Sequence, residues 1–333
     1  MHRGLQKIGH LAALVGVAAL VAGIPMPPAH ADGLSQVTVT QMMNWDPEPE
    51  HGGQYAAEVL GYYKQAGLNE HIVPYNANAN EAELISDNKI TFGMMAADDL
   101  LAGRAAGYHL VAVLNTFQIN PQCVMWHSGE NIRSLADLSH HTVIRTPTNT
   151  WWKFLEKKYK YTYLTQIDND FSFKAFYANP NAVLACFVTS EPYVAHQAGK
   201  QIKWALIADS GFDPYPQLMV TNDAMVRDHP DTVRAYVNAS LRGWASFLAN
   251  PAPTLSRLET YPDAKDYPLT PSAMLFSYIH LRSLVTGGEA QLHGIGTMSA
   301  QRFAELVPQL EGVGISLHGL DPRTTYTLAF VPH

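Results

Sequence analysis

The sequence predicts an α/β protein made of two α/β units, and three observations carry that reading. Short β-branched or apolar runs alternate with amphipathic stretches, which is the rhythm of strands and helices in turn. The same alternation is repeated from "QCVMWH" onward, which implies a second unit. No fixed-period repeat, low-complexity tract or Gly/Ser linker divides the chain, so strands are expected to cross between the two units.

Taken in order, "QVTVTQM" (Gln36 to Met42) alternates as a strand, and Tyr55 to Ala66 reads as a helix stopped by Gly67, a residue suited to a left-handed C-terminal position. "NEHIVPY", "ITFGMM" and "HLVAVLNTF" are strands, separated by helices in "NEAELISDN" and "DLLAGRAAG". The second unit opens with an extended "QCVMWH" and a helix in "IRSLADL". It continues with the strand "HTVIRTPT", the helix "NTWWKFLEKKY" and the strand-to-helix run "AVLACFVTSEP". The strongest helix is "RDHPDTVRAYVNASLRGWASFLANP". There Asp228 is the expected cap, Pro230 occupies the first turn, where its missing N–H costs nothing, and Val233, Tyr236, Val237, Leu241, Trp244 and Phe247 share a face.

One connection is longer than folding requires. "NWDPEPEH" (Asn44 to His51) places two prolines, three acids, a tryptophan and a histidine between a strand and a helix that need only a few turn residues. It is a candidate functional loop.

Residues 1–31 read as a secretory leader: Arg3 and Lys7, a 14-residue apolar run from Leu11 to Ile24, then an Ala-His-Ala pattern ending at Ala31. The run is shorter than the roughly 20 residues of a membrane-spanning helix. No cysteine stands at the cleavage point for a lipid, so a periplasmic protein without an anchor is expected. The whole chain of 333 residues carries 22 basic and 29 acidic side chains, a net charge of −7, and the leader removes two of the basic ones. That balance argues against nucleic acid, whose binding rests on phosphate neutralisation.

Only Cys123 and Cys186 are present, which excludes a disulfide scaffold and a four-cysteine zinc site; pairing and plain burial both remain open for them. Among 15 histidines there is no His-Glu-x-x-His or Cys/His ligand spacing, and no metal or cofactor is expected. Nucleophile elbow, P-loop and paired helix-borne carboxylates are also absent.

The stretches "NWDPEPEHGGQYAAEVLGYYKQAGL", "ITFGMMAADDLLAGRAAGYHLVAVLN", "IRSLADLSHHTVIRTPTN", "VTSEPY" and "VTNDAMVRDHPDTVRAYVNASLRGWASFLANP" resemble the solute-binding proteins of bacterial ABC importers for pyrimidine precursors, sulfonates, taurine and nitrate. They also resemble the yeast thiamine-pyrimidine synthase of the same fold. The resemblance runs from about Val37 to about Pro251. It implies a two-lobed type II periplasmic-binding fold, each lobe a mixed sheet flanked by helices, with a ligand cleft between the lobes. Lobe 1 would take residues 32–120, lobe 2 residues 121–215, and residues 216–333 would return to lobe 1 and end in a helical region. It further implies a monomer that delivers a small molecule to a permease and its ATPase.

On that frame Asn44, Trp45 and His51 would line the cleft, Trp45 as a stacking face and His51 as a hydrogen-bonding edge. Asp46 and Glu48 read as solvated acids. Met95 and Ala96, in "MMAADD", would open a helix toward the cleft. In the synthase resemblance, Met95 and Asp99 occupy the places of the cofactor-bearing lysine and the consumed histidine. The cysteine-rich run would fall on "GFDPYPQLMV", which has no cysteine. Methionine cannot form a Schiff base, so synthase chemistry is not expected.

"TPTNTWW" corresponds to the anion-binding turn of the sulfonate and nitrate relatives but lacks its glycine. Thr148 and Asn149 are therefore either ligand donors or a helix cap. Glu191 and Tyr193, with Asp213 and Tyr215, supply a carboxylate beside aromatics, which suits the N–H groups of an aminopyrimidine; Glu191 also reads as a turn cap. Phe117, with Trp126 and Trp151, adds aromatic candidates. The expected function is capture of a small planar heterocycle, a thiamine-precursor pyrimidine, by hinged lobe closure. The alternatives are a taurine, sulfonate or nitrate binder and, in another class, an exported enzyme or sensor.

Overall fold

The computed structural model describes residues 36–73, 75–76, 78–262 and 267–332, so the expected leader lies outside the described residues. The first unit runs β1 (Val37–Met42), α1 (Gly52–Val59), α2 (Tyr62–Gln65), β2 (Leu68–Val73), α3 (Glu81–Ser86), β3 (Phe92–Met95), α4 (Ala97–Ala105) and β4 (Val111–Asn115). The second runs β5 (Gln122–His127), β6 (Thr142–Arg145), α5 (Thr150–Tyr159), β7 (Thr165–Asp168), α6 (Lys174–Ala178), β8 (Ala182–Phe187), α7 (Glu191–Gln197) and β9 (Ile202–Leu206). Then come β10 (Leu218–Thr221), α8 (Asp223–Asp228), α9 (Pro230–Ala249), α10 (Ala252–Leu258), α11 (Pro271–Thr286), α12 (Ala290–His293) and α13 (Ala300–Gly312).

Two mixed five-stranded sheets result, in the orders β2-β1-β3-β10-β4 and β7-β6-β8-β5-β9. β10 therefore rejoins the first sheet after the chain has built the second, antiparallel to both β3 and β4. Fully apolar runs such as "FGMM" and "VAVLN" become buried strands, while β7, exposed along its length, forms an edge.

Local chemistry moved three expected boundaries. The helix expected from Tyr55 to Ala66 is interrupted at Gly61, which takes a left-handed φ of 70° that an L side chain resists. "IRSLADL" makes only a 3-10 turn, Leu135–Asp137, because Ser134 and Asp137 cap each other reciprocally. Asp228 does not cap the long helix: it ends α8 and pairs with Arg227, and His229 takes the cap position before Pro230.

Cys123 and Cys186 form a disulfide, and they face each other in register on the antiparallel pair β5 and β8. The two passages between the sheets are strapped together. The Asn120 amide donates to Asp213 Oδ1 (3.1 Å), its side chain to Pro214 O (3.1 Å), and the Thr116 hydroxyl to Gln217 O (3.1 Å). Arg302, from α13, donates to the carbonyls of Asp213 and Gln118 and pairs with the Asp213 carboxylate at 2.8 Å.

The glycines of "HGGQY" serve packing. A Cβ on Gly52 or Gly53 would stand 2.1 Å from the Phe247 ring or 2.2 Å from the Trp244 ring, and one on Gly243 would lie 2.0 Å from Gly53 O. α1 and α9 can approach this closely only without side chains there. Gly243→Ala is expected to gain at most ~1 kcal/mol of helix propensity but to lose more by forcing backbones apart. The net expectation is destabilisation by about 1–3 kcal/mol with an unchanged denaturant m-value; equal or higher stability in urea titration would refute the close-packing account.

Candidate functional site

Two adjoining chambers lie between the sheets, lined from both units. The first, of about 200 Å³, is formed by Asn44, Trp45, Glu48 and Glu50 from one side and Thr146, Asn149, Phe171, Phe187, Ser190 and Glu191 from the other. The second, of about 330 Å³, shares Asn44 and Phe187 and adds Tyr75, Glu81, Met95, Ala96, Asp99 and Gln122 among its lining residues. Asn44, Tyr75, Thr146 and Phe187 all sit at or just beyond the carboxyl ends of strands, where open α/β sheets place ligand sites.

Trp45 is half-buried between aromatic neighbours from both units. Its ring centroid is 5.4 Å from Tyr75 and 5.5 Å from Phe171, both tilted. Asn44 is oriented from below. His51 Nδ1 accepts from the Glu48 amide (3.4 Å), which makes Nε2 the donor to Asn44 Oδ1 (2.9 Å) and leaves the Asn44 amide nitrogen as donor. Glu191 opens α7, and its Oε2 accepts from the Phe187 amide (2.7 Å) and the Ser190 hydroxyl (2.6 Å). Asn149 Oδ1 accepts from the Thr146 amide (3.0 Å), which holds the turn before α5.

Several expected residues stand elsewhere. His51 is fully buried and offers no edge to a ligand; it positions Asn44 instead. Phe117 is buried in the core, edge-on to Trp244, and Trp126 and Trp151 are core residues too. Tyr193 packs on Phe276, with its hydroxyl 2.7 Å from Ser272 Oγ, and so joins α7 to α11. Asp213 and Tyr215 belong to the passage between the sheets, where Tyr215 donates to Glu289 and accepts from the Ser299 amide. Thr148 is exposed and lines neither chamber. Glu48, read as a solvated acid, is buried and lines the first chamber.

Sequence reasoning missed Tyr75, Phe171, Phe187 and Glu81. The strand-end rule was the available signal for Tyr75 and Phe187. Phe171 comes from a loop whose left-handed φ of 59° no sequence pattern announces.

Burial pushes the His51 imidazole down to about 3, so it is neutral in the folded protein. An unfolded chain takes up that proton below about pH 6.5, and the associated stability is complete above that value and lost as pH falls. By pH 5 the loss should be about 2 kcal/mol. Comparing wild type with His51→Gln in urea at both ends of that range should show the smaller pH dependence in the variant. Equal slopes would mean that the histidine is not buried neutral.

A model of the family described as NMT1/THI5 like matches residues 48–254. The chain belongs to the NMT1/THI5-like family. Within reach of it, the formylaminopyrimidine-binding protein of Halalkalibacterium halodurans is 24% identical over 240 residues, covering 70% of this chain and 73% of that protein. The riboflavin-binding protein RibY of Chloroflexus aurantiacus is 25% identical over 329 residues, covering 95% and 91%. A Saccharomyces cerevisiae 4-amino-5-hydroxymethyl-2-methylpyrimidine phosphate synthase, THI12, matches 99 residues at 28% identity, covering 30% of this chain and 29% of the synthase. Among solved structures, the periplasmic aliphatic sulphonate binding protein SsuA of Escherichia coli superposes with a TM-score of 0.68 at 13% identity, covering 87% and 92% of the two chains. The Candida albicans CA3427 gene product, described as having the generic periplasmic binding protein fold, gives 0.61 at 10% identity, covering 88% and 96%. This member of the family has that periplasmic-binding fold, two mixed sheets flanked by helices.

Proposed function

We propose that this protein is the extracytoplasmic solute-binding component of an ABC importer and that its ligand is a small planar heterocycle of the pyrimidine class. One observation carries the reading: a chamber walled by Trp45, Phe171 and Phe187 presents Glu191, Asn44 and Asn149 at its polar edge, and among the described residues no Lys, Arg or His lines either chamber. A flat aromatic ring fills such a slot by stacking; the Glu191 carboxylate suits its exocyclic N–H groups, and the Asn44 amide nitrogen is a donor for a ring nitrogen. Sulfonate or nitrate would enter an acidic chamber without a cation, which costs desolvation with no compensating charge.

The pyrimidine-type and flavin-type names of the two binding-protein relatives point to the same ligand chemistry. The synthase names point to a reaction for which this chain lacks the groups, since Met95 and Asp99 stand where the resemblance to the synthase calls for lysine and histidine.

The test is native mass spectrometry of the purified mature protein for retained ligand, followed by calorimetry with 4-amino-2-methylpyrimidines, riboflavin, taurine, alkanesulfonates and nitrate. Micromolar binding of a pyrimidine is expected. Tighter binding of a sulfonate or of nitrate than of any heterocycle would overturn the assignment.

A further inference from the structure

Among the described residues seven that are not glycine have a left-handed φ, a conformation that is costliest for bulky side chains. Asn88, His140, Lys160, Tyr163 and His318 are exposed, and Phe173 is buried in the core against Tyr177. Phe171, at a φ of 59°, differs from all of them in lining the first chamber. Glycine or asparagine would take that backbone at lower cost, and the Phe171 side chain is half-buried rather than sealed in the core. Neither the turn nor the core therefore calls for a phenylalanine at this position.

Strain of this kind persists only where the surroundings over-determine it, and here they do. The loop "NDFSF", residues 169–173, is pinned at both ends: the Asn169 amide donates to Arg145 O at the end of β6 (3.1 Å), and the Phe173 carbonyl accepts from the Tyr177 amide inside α6 (2.9 Å). Two side-chain turns fix what lies between. Asn169 Oδ1 accepts from the Phe171 amide (2.9 Å), and Asp170 Oδ1 accepts from the Ser172 amide (3.0 Å) and hydroxyl (2.8 Å). The Ser172 amide and then its hydroxyl hold the Asp170 carboxyl below its ordinary range. α6 is in turn tied to the second sheet, because His127 of β5 stacks on Phe176 at 4.3 Å and donates from Nε2 to Phe176 O (2.9 Å). From this support the Phe171 ring reaches Trp45 of the first unit, 5.5 Å between centroids.

We infer that Phe171 is the cover of the first chamber, the group through which the second unit retains a bound ring, and that Asn169 and Asp170 are positioning residues that hold it in its left-handed conformation. This rests on the heterocycle reading above and adds to it the element that governs release. A contact laid on a ring already seated against Trp45 forms after entry, so it slows departure more than arrival.

The probes are 4-amino-5-hydroxymethyl-2-methylpyrimidine and, separately, riboflavin, with their association and dissociation followed by stopped-flow tryptophan fluorescence of the mature protein and a melting temperature recorded for every variant. Phe171→Ala is expected to speed dissociation of whichever probe binds by about 10-fold to 100-fold and to change association by less than about 3-fold. Asn169→Ala and Asp170→Ala keep the ring but lose its supports, and each should speed dissociation by about 3-fold or more. Asn169→Asp and Asp170→Asn preserve the Oδ1 acceptor and should release the probe at nearly the wild-type rate. Phe171→Asn should lose retention as Phe171→Ala does, yet without a fall in melting temperature, because asparagine accepts the left-handed conformation.

Wild-type release from Phe171→Ala would show that the ring covers no ligand, while the heterocycle reading stands. If Asn169→Ala and Asp170→Ala change nothing, or if the conservative variants fail as badly as the alanine ones, these two side chains do not position Phe171. A lower melting temperature in Phe171→Asn would make the ring a packing residue. If neither probe binds below millimolar, the heterocycle reading falls and takes the cover with it.

Discussion

Trp45→Ala is expected to weaken ligand binding by roughly 2–4 kcal/mol, about 30-fold to 1000-fold in affinity, with little change in stability. The indole forms one wall of the first chamber and is half-buried, and its aromatic contacts, Tyr75 and Phe171, come from two different units. Removing it takes away the stacking face and the apolar area that closure would bury, and it loosens the contact through which the two sides meet. Trp45→Phe should recover much of the loss, since a smaller ring still stacks. Calorimetry with the best-bound heterocycle, together with a thermal melt of each variant, separates the outcomes. Wild-type affinity in Trp45→Ala would mean that the indole is only loop packing and that the ring lies elsewhere.

Loss of the disulfide is expected to cost a similar amount, in stability. Cys123 and Cys186 are separated by 63 positions, and closing a loop of that size in the unfolded chain corresponds to about 4 kcal/mol in the loop-entropy account. The double variant Cys123→Ser, Cys186→Ser should therefore lower the urea midpoint markedly. The neighbouring register pair, Gln122 and Phe187, lines the chambers, so ligand affinity should fall as well. A variant with the wild-type midpoint would show that the bond contributes nothing to holding β5 on β8.

The contrast between these two effects shows how far sequence reading reached into the site. Trp45, Asn44, Asn149 and Glu191 were legible because each sits in a polar or aromatic excess that turn formation does not require, and the structure brings all four to one chamber. His51 looked like part of the same excess. Its actual role depends on depth, which spacing cannot report: the imidazole is sealed beneath the loop and works through Asn44. Phe117, Tyr193 and Tyr215 stand outside both chambers, since an aromatic near a turn reads alike whether it faces a cleft or a core.

What the sequence determined by itself was the alternation of strands and helices, the α/β class and the length of the loop after β1, because apolar period and turn chemistry are local properties. Only the tertiary structure decided which strand ends converge, that "HGG" lets two helices touch, that the two cysteines meet, and that Glu81 lies against Gly93 beside Asp99. Each of these depends on elements packing against one another in space, such as β5 on β8 and α1 on α9, which no local pattern in the sequence specifies.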